Sequence, residues 1–454
     1  MLFTTYPFLL FFPVVLWMYW KLPPHRISFR NAWLLMASYF FYGFAHWPWL
    51  GILGLSTLFN FVWGRQLPKA SHKKLSLGVG VSGNLALLGL CKYGGTWFSS
   101  WQLENTWIVP LGVSFFTFHG ISYLVDIYRT HIQPETNIIH FGLFMAFFPL
   151  LVAGPIERAF HLLPQIRERK SIDFARWRVG LHLMIWGFIK KMGIADGLAE
   201  TADLMFGQYH QFHGYSLLLG LVAFSFQIYA DFSGYSDIAR GLAHFFGFNL
   251  LLNFRFPYRS ASISEFWKRW HISLSSWFRD YVYIPLGGSR HSAWQTQRNI
   301  AVVFILSGIW HGTTLNFAVW GLMHGLGYAI YQVYSHVSNL NLPRWLAIFL
   351  TWLFVTLGWL FFRAESLGHA TAYWHHMWQT IWANPGQWDG SGKSILFFLF
   401  PLFVMEWFQK NRADEINFPT HRGARWLLYG ATGLWIVGTI VSNSQAPTFI
   451  YFNF

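Results

Sequence analysis

The chain turns apolar again and again, and that recurrence constrains it more than any single motif. Apolar runs fall at 5–20, 31–44, 49–63, 75–91, 107–128, 137–154, 177–196, 215–230, 299–334, 343–363, 394–409 and 425–443. A full bilayer crossing takes about 20 residues, so the shorter runs must tilt or insert partway. The 299–334 run is too long for one crossing and needs a break, most simply at Gly312. The pattern predicts an all-α, polytopic membrane protein of about 11–12 membrane segments. Only 11% of the residues are charged, against about 25% in soluble proteins. That scarcity excludes a secreted domain, a disordered chain and an ordinary cytosolic enzyme. No long linker or low-complexity tract interrupts 1–454, so a single integral membrane domain is expected. The opening MLFTTYPFLLFFPVVLWMYWK lacks a basic n-region and a small-residue cleavage site, and reads as a retained first helix.

Charge gives the orientation. Lys and Arg number 32 against 18 Asp and Glu, a net +14, and the basic residues concentrate in a few loops. Residues 21–30 hold Lys21, Arg26 and Arg30, and 65–74 hold Arg65, Lys69, Lys73 and Lys74, both without an acid. The 155–178 and 253–298 segments are also rich in Lys and Arg, and all four read as cytoplasmic. The 197–214 loop carries Glu200 and Asp203 with no base, and reads as external. Positive loops beside anionic lipid explain the charge more economically than a nucleic acid, for which no binding motif exists. Three apolar runs lie between the cytoplasmic loops at 65–74 and 155–178, where an even number of crossings is required. One of them is therefore expected to be re-entrant or partial, which a membrane tolerates only inside surrounding protein.

The stretch 224–325 breaks the apolar pattern. In FSFQIYADFSGYSDIARGLAHFFGF, Gln227, Asp231, Ser233, Ser236, Asp237 and Arg240 interrupt a helix. A carboxylate at membrane depth costs about 2.5–3.5 kcal/mol and faces a cavity or a partner. Asp231 and Asp237 therefore read either as site residues or as structural groups, with Asp237 pairing with Arg240 or Arg255 to hold helices together. In SISEFWKRWHISLSSWFRDYVYIPLGGSR, Trp267, His271 and Ser275 are spaced to share one helical face. Lys268, Arg269 and Arg279 alternate there with Trp267, Trp270 and Trp277, as in a helix lying at headgroup depth. The same surface would attract an anionic cofactor from the cytosol. In NIAVVFILSGIWHGTTLNFAVWGLMHG, His311 sits between Trp310 and Gly312. A lone histidine on an apolar helix is more often structural, yet burial favours the neutral imidazole that a general base needs. Gly308 and Gly312 would allow close approach of a substrate or another backbone. His324, in the echoing Met-His-Gly, is a weaker candidate.

Other motifs fail in context. Gly78, Gly80 and Gly83 spell G-x-G-x-x-G inside an apolar run with no strand before it. His210 and His213 have metal-ligand spacing but lack further ligands nearby, and Cys91, the only cysteine, excludes an intrachain disulfide and a cysteine-based zinc site. No metal is expected. There is no G-x-S-x-G elbow and no P-loop.

EFWKRWHISLSSWFRDYVYIPLGGSR followed by LSGIWHGTTLNFAVWG resembles the membrane-bound O-acyltransferase family. QIYADFSGYSDIARGLA, the opening FLLFFPVVLWMYW and the closing FIYFNF resemble its bacterial branch, which contains the alginate and peptidoglycan O-acetylation proteins and the D-alanyl transfer protein of teichoic acid. The resemblance implies a ring of membrane helices around a funnel or tunnel in a bacterial inner membrane. It implies acetyl-CoA as donor, with no permanently bound cofactor, and an extracytoplasmic polysaccharide as acceptor. The family's W-H-G histidine falls on His311 and its W-H-I-S-L-S histidine on His271. Trp310, Ser275, Asp231 and Asp237 would then position substrate, and Lys268, Arg269 and Arg279 would meet the donor. Direct transfer with His311 as base and an acyl-histidine intermediate both remain open. The final step would fall to a separate extracytoplasmic acyltransferase or carrier protein. A competing reading is a proton-coupled transporter relaying through Asp231, Asp237, His271 and His311, although no inverted repeat is detectable. A third is a scaffold that anchors a polysaccharide-modifying complex.

Overall fold

Every described element is a helix, and the long apolar ones fall where the hydropathy pattern put them. The computed structural model describes residues 1–97, 109–290, 292–337, 342–383, 391–408, 423, 429–431 and 433–434; among these there is no strand. Three helices among the described residues are long and apolar enough to cross a membrane: Lys73–Gly95, Gly214–Phe245 and Arg344–Arg363. Most of the apolar run at 425–443 and all of the closing FIYFNF lie outside the described residues.

The chain divides into two compact units. The first comprises Met1–Trp186, Tyr235–Leu251 and Phe418–Ala446, the second Gly187–Gly234, Leu252–Asn417 and Pro447–Phe454. In the first, α1 (Tyr6–Lys21), α2 (Ile27–Gly43), α3 (Trp49–Gln66), α4 (Lys73–Trp97) and α5 (Val113–Tyr128) precede a broken segment. The 137–154 run is not one helix: α6 (Ile138–Ala146) stops at Phe147 and α7 (Phe148–Leu151) follows with Pro149 in its first turn. Proline cannot donate the hydrogen bond that a continuing helix needs. α8 (Ala159–Arg167) and α9 (Phe174–Phe188) follow. Buried polar groups here pair with one another. Asn60 and Asn84 exchange two amide bonds of 3.0 and 2.8 Å between α3 and α4. The Glu157 carboxylate accepts from the Leu251 N–H at 2.6 Å and bonds the His161 ring at 2.7 Å.

The second unit carries the π-helical segment Ile189–Ala195, α10 (Asp196–Gly207) and most of α11 (Gly214–Phe245). Then come α12 (Ile263–Trp267), α13 (Ile272–Phe278), α14 (Ala293–His311), α15 (Leu315–Val337), α16 (Arg344–Arg363), α17 (Leu367–Ala383) and α18 (Ser391–Phe408). The long 299–334 run breaks at Gly312, which caps α14 in extended conformation. Glycines also set how α14 and α15 pack. A Cβ on Gly308 would collide with the Phe317 carbonyl oxygen, and one on Gly321 with the Phe304 carbonyl oxygen. The close approach read from Gly308 is thus by the backbone of the next helix.

Hydropathy gave no sign of α17. Its sequence LGHATAYWHHMWQTIWA has no apolar run, because its two faces differ. Ala370, Tyr373 and Met377 are buried, while Trp374, Trp378 and Trp382 are exposed in a stripe suited to headgroup depth.

Candidate active site

The geometry begins with α11, where Asp231 is buried and bonded at 3.0 Å to the Lys191 ammonium. Lys191 also reaches Asp196 at 2.8 Å, and Lys190 donates to the Ser233 hydroxyl at 3.0 Å. The buried Lys191 and Asp231 side chains need such pairing to leave water. Asp231 therefore belongs to a charge cluster that holds the π-helical segment Ile189–Ala195 against α11. Neither lysine was among the sequence candidates, although two adjacent lysines inside the 177–196 apolar run are a legible signal. Two residues earlier on α11, the Tyr229 hydroxyl donates to Glu406 at 2.7 Å. Asp237 lies in the first unit, 3.7 Å from Arg240 on the next helical turn.

The chain from 263 to 283 corrects one reading. Trp267, His271 and Ser275 do not share a continuous helical face, because the helix is broken at His271. α12 ends at Trp267, and His271 adopts φ 43°, ψ 54°, in the left-handed region, before α13 starts. Long-range backbone bonds enforce the bend. The Ile272 N–H donates to the Asn253 carbonyl at 2.9 Å, and the Arg255 N–H to the Arg269 carbonyl at 3.0 Å. The Ser273 hydroxyl closes the corner on the Asn253 side chain at 2.6 Å. A non-glycine residue held left-handed is strained, and such strain clusters at functional sites.

The bend buries the His271 ring, which is 1% exposed. It packs edge-on to Phe232, with centroids 4.6 Å apart, and 6.4 Å from Trp310. Neither of its ring nitrogens has a hydrogen-bond partner among the described residues. Buried polar atoms are rarely left so, and both are available to a bound molecule. His311, the last residue of α14, is 5% exposed. Its ring meets Trp320 at 5.2 Å, Phe362 at 5.1 Å and Trp310 at 4.6 Å. The Trp310 indole is therefore in contact range of both histidines.

A cavity of about 390 Å³ opens between α12, α13, α14 and α15. Lys268, Arg279 and Ser275 line it, so three of the proposed site residues come together there. Lys268 and Arg279 are exposed at its rim; the Arg279 guanidinium is paired with Asp280 at 2.7 Å, so the rim's cationic excess comes from Lys268. Arg269 does not line it: the guanidinium is paired with Glu265 at 2.6 Å. Ser307, one turn before His311 on α14, forms part of the wall, as do Tyr328 and Gln332 on α15. Sequence reasoning passed over these three. Tyr328 and Gln332 are spaced to share one face of an otherwise apolar helix, which is the signal that would have found them. His210 and His376 approach to 5.7 Å between ring centroids, and among the described residues no group of three or more His, Cys, Asp or Glu is arranged to hold a metal ion.

Comparison with known proteins gives this geometry a context. The model of MBOAT, the membrane-bound O-acyltransferase family, matches residues 97–368. The chain is 39% identical to the probable alginate O-acetylase AlgI of Pseudomonas putida, with 100% of each chain covered. It is 34% identical to the peptidoglycan O-acetyltransferase of Helicobacter pylori, over 75% of this chain and 72% of that one. It is 28% identical to the teichoic acid D-alanyltransferase of Bacillus subtilis, over 52% of this chain and 64% of that one.

Proposed function

The chain belongs to the membrane-bound O-acyltransferase family, and from that premise we propose that it takes acetyl groups from cytosolic acetyl-CoA and delivers them across an inner membrane for O-acetylation of an extracytoplasmic polysaccharide. One observation carries this reading: a cavity with a cationic rim ends one helical turn from His311, whose neighbour Trp310 also meets His271. Relatives named for alginate and peptidoglycan acetylation support the polysaccharide as acceptor class.

Lys268 and Arg279 attract the anionic head of the donor from the cytosolic side. The reaction so read needs a passage that lets the thioester in from one face and the acceptor hydroxyl from the other, so that the charged donor never crosses lipid. Neutral His311 takes the proton of the hydroxyl as its oxygen attacks the thioester carbonyl. The carbon–sulfur bond then breaks, and the thiolate leaves with that proton. A positioned base of this kind contributes about 10²–10⁴-fold. His271 has ring nitrogens free to hold the oxyanion or the acceptor. A separate extracytoplasmic acyltransferase or carrier receives the acetyl group and completes transfer to the sugar.

The test uses purified protein with acetyl-CoA labelled on the acetyl group, following CoA release and label transfer with candidate acceptors. Turnover in wild type and its loss in a folded His311→Ala protein is the expected result. Equal turnover in both proteins removes His311 from the chemistry.

A further inference from the structure

His324 is the most deeply buried histidine near the cavity, and the mechanism above leaves it unused. It lies on α15 four residues from Tyr328, which is four from Gln332, and both of those line the cavity. Four-residue spacing puts all three on one face of the helix. Four residues the other way stands Trp320, whose ring meets His311 at 5.2 Å. His324 thus sits on a stripe that runs from the cavity wall to the candidate base.

Its surroundings are those of a binding point. The residue is 0% exposed. Trp267 and Phe304 touch the cavity on one side and the His324 ring on the other, with centroids 5.2 and 6.4 Å from it. Trp320 closes in at 5.0 Å and Phe354 at 5.5 Å. Among the described residues, both ring nitrogens of His324 lack a hydrogen-bond partner, as do the indole nitrogens of Trp267 and Trp320. His119, equally buried, shows the contrast, since its Nε2 accepts from the Glu157 N–H at 3.1 Å. A histidine that only fills space would be replaceable by phenylalanine at no loss of hydrogen bonds. Four polar atoms left together without partners are costly unless a ligand satisfies them.

We propose that His324 is a substrate-positioning residue that hydrogen-bonds an amide of the donor's thioester arm as the arm passes from the cavity towards His311. This rests on the thioester-donor reading above. A neutral imidazole offers one donor and one acceptor, so one ring nitrogen can meet an amide C=O or N–H of the arm, and the two indole N–H groups suit a further carbonyl. The arm reaches this point by displacing the Trp267 and Phe304 rings.

Equilibrium binding tests the proposal, because it needs no acceptor or partner protein. The ligands are desulfo-CoA, which keeps the amide-bearing arm, and adenosine 3′,5′-bisphosphate, which has the charged head alone. The proteins are wild type, His324→Phe and His324→Gln. Loss of one buried hydrogen bond predicts roughly tenfold weaker desulfo-CoA binding in His324→Phe. Head binding should be unchanged, and His324→Gln, which can donate and accept, should restore most of the loss. Equal desulfo-CoA affinity in wild type and His324→Phe overturns the proposal. So does parallel weakening of both ligands without rescue by glutamine, which marks a purely structural role. Wild type that binds neither ligand overturns the donor reading itself, and the proposal with it.

Discussion

At the scale of single residues, His271 shows how backbone and chemistry meet. Its left-handed conformation is imposed by Asn253 and costs any residue with a Cβ, though asparagine tolerates it better than alanine. His271→Asn is therefore expected to unfold at a temperature no lower than His271→Ala, while both lose about 10²-fold or more in acetyl transfer if the imidazole serves the reaction. Thermal unfolding and turnover on the same preparations separate backbone strain from chemistry. The residue types of this site were legible from sequence, but the shared face of Trp267, His271 and Ser275 was not. The bend between them depends on a hydrogen bond to a residue far upstream, and local periodicity carries no record of it. A second histidine yields a pH test. The bond from Glu157, and the charge of that carboxylate, raise the His161 pKa against the opposing effect of burial. A raised histidine pKa means that the protonated ring stabilises the fold. That contribution is complete below about pH 6.5 and is lost as pH climbs through the folded-state value. Wild type should exceed His161→Gln in thermal stability at about pH 6, and the gap should narrow by about pH 8.

At the scale of elements, the α14–α15 hairpin links packing to function. The sequence showed that the 299–334 run must break, and Gly312 was the residue to suspect. It could not show that Gly308 and Gly321 set the distance between the two helices, because that contact is between backbones. His311 closes α14 one turn beyond Gly308, so the spacing of the hairpin places the candidate base. Gly308→Ala puts a methyl group into the Phe317 carbonyl and must push the helices apart. Overpacking of this kind costs about 1–3 kcal/mol. The expected outcome is a helical protein with normal circular dichroism, a lower unfolding temperature and acetyl transfer reduced about tenfold or more, since small displacements of reacting groups are costly. Gly54, where a Cβ meets no atom within 4 Å, supplies the control, and Gly54→Ala should leave transfer unchanged. α17 marks the opposite limit of sequence reading. Its buried and tryptophan-bearing faces are plain in three dimensions, and neither makes an apolar run.

At the scale of the whole molecule, charge asymmetry ties orientation to mechanism. Under the proposed reaction the donor comes from the cytosol and must find the rim on the cytosolic face, and the rim residues Lys268 and Arg279 lie in the basic 253–298 segment. The acidic 197–214 segment, read from sequence as a loop but helical over most of its length as α10, then belongs outside, on the side of the proposed acceptor. This is a statement about topology, and the chain is well suited to testing it, because Cys91 is its only cysteine and is buried. A cysteine introduced at exposed Arg290 or exposed Glu200 can therefore be probed with little background. With a membrane-impermeant maleimide on spheroplasts, Glu200→Cys should label in intact cells. Arg290→Cys should label only after permeabilisation. The reverse pattern would place Lys268 and Arg279 on the face that acetyl-CoA never reaches, and the proposed entry of the donor at the cationic rim would fail whatever the histidines do.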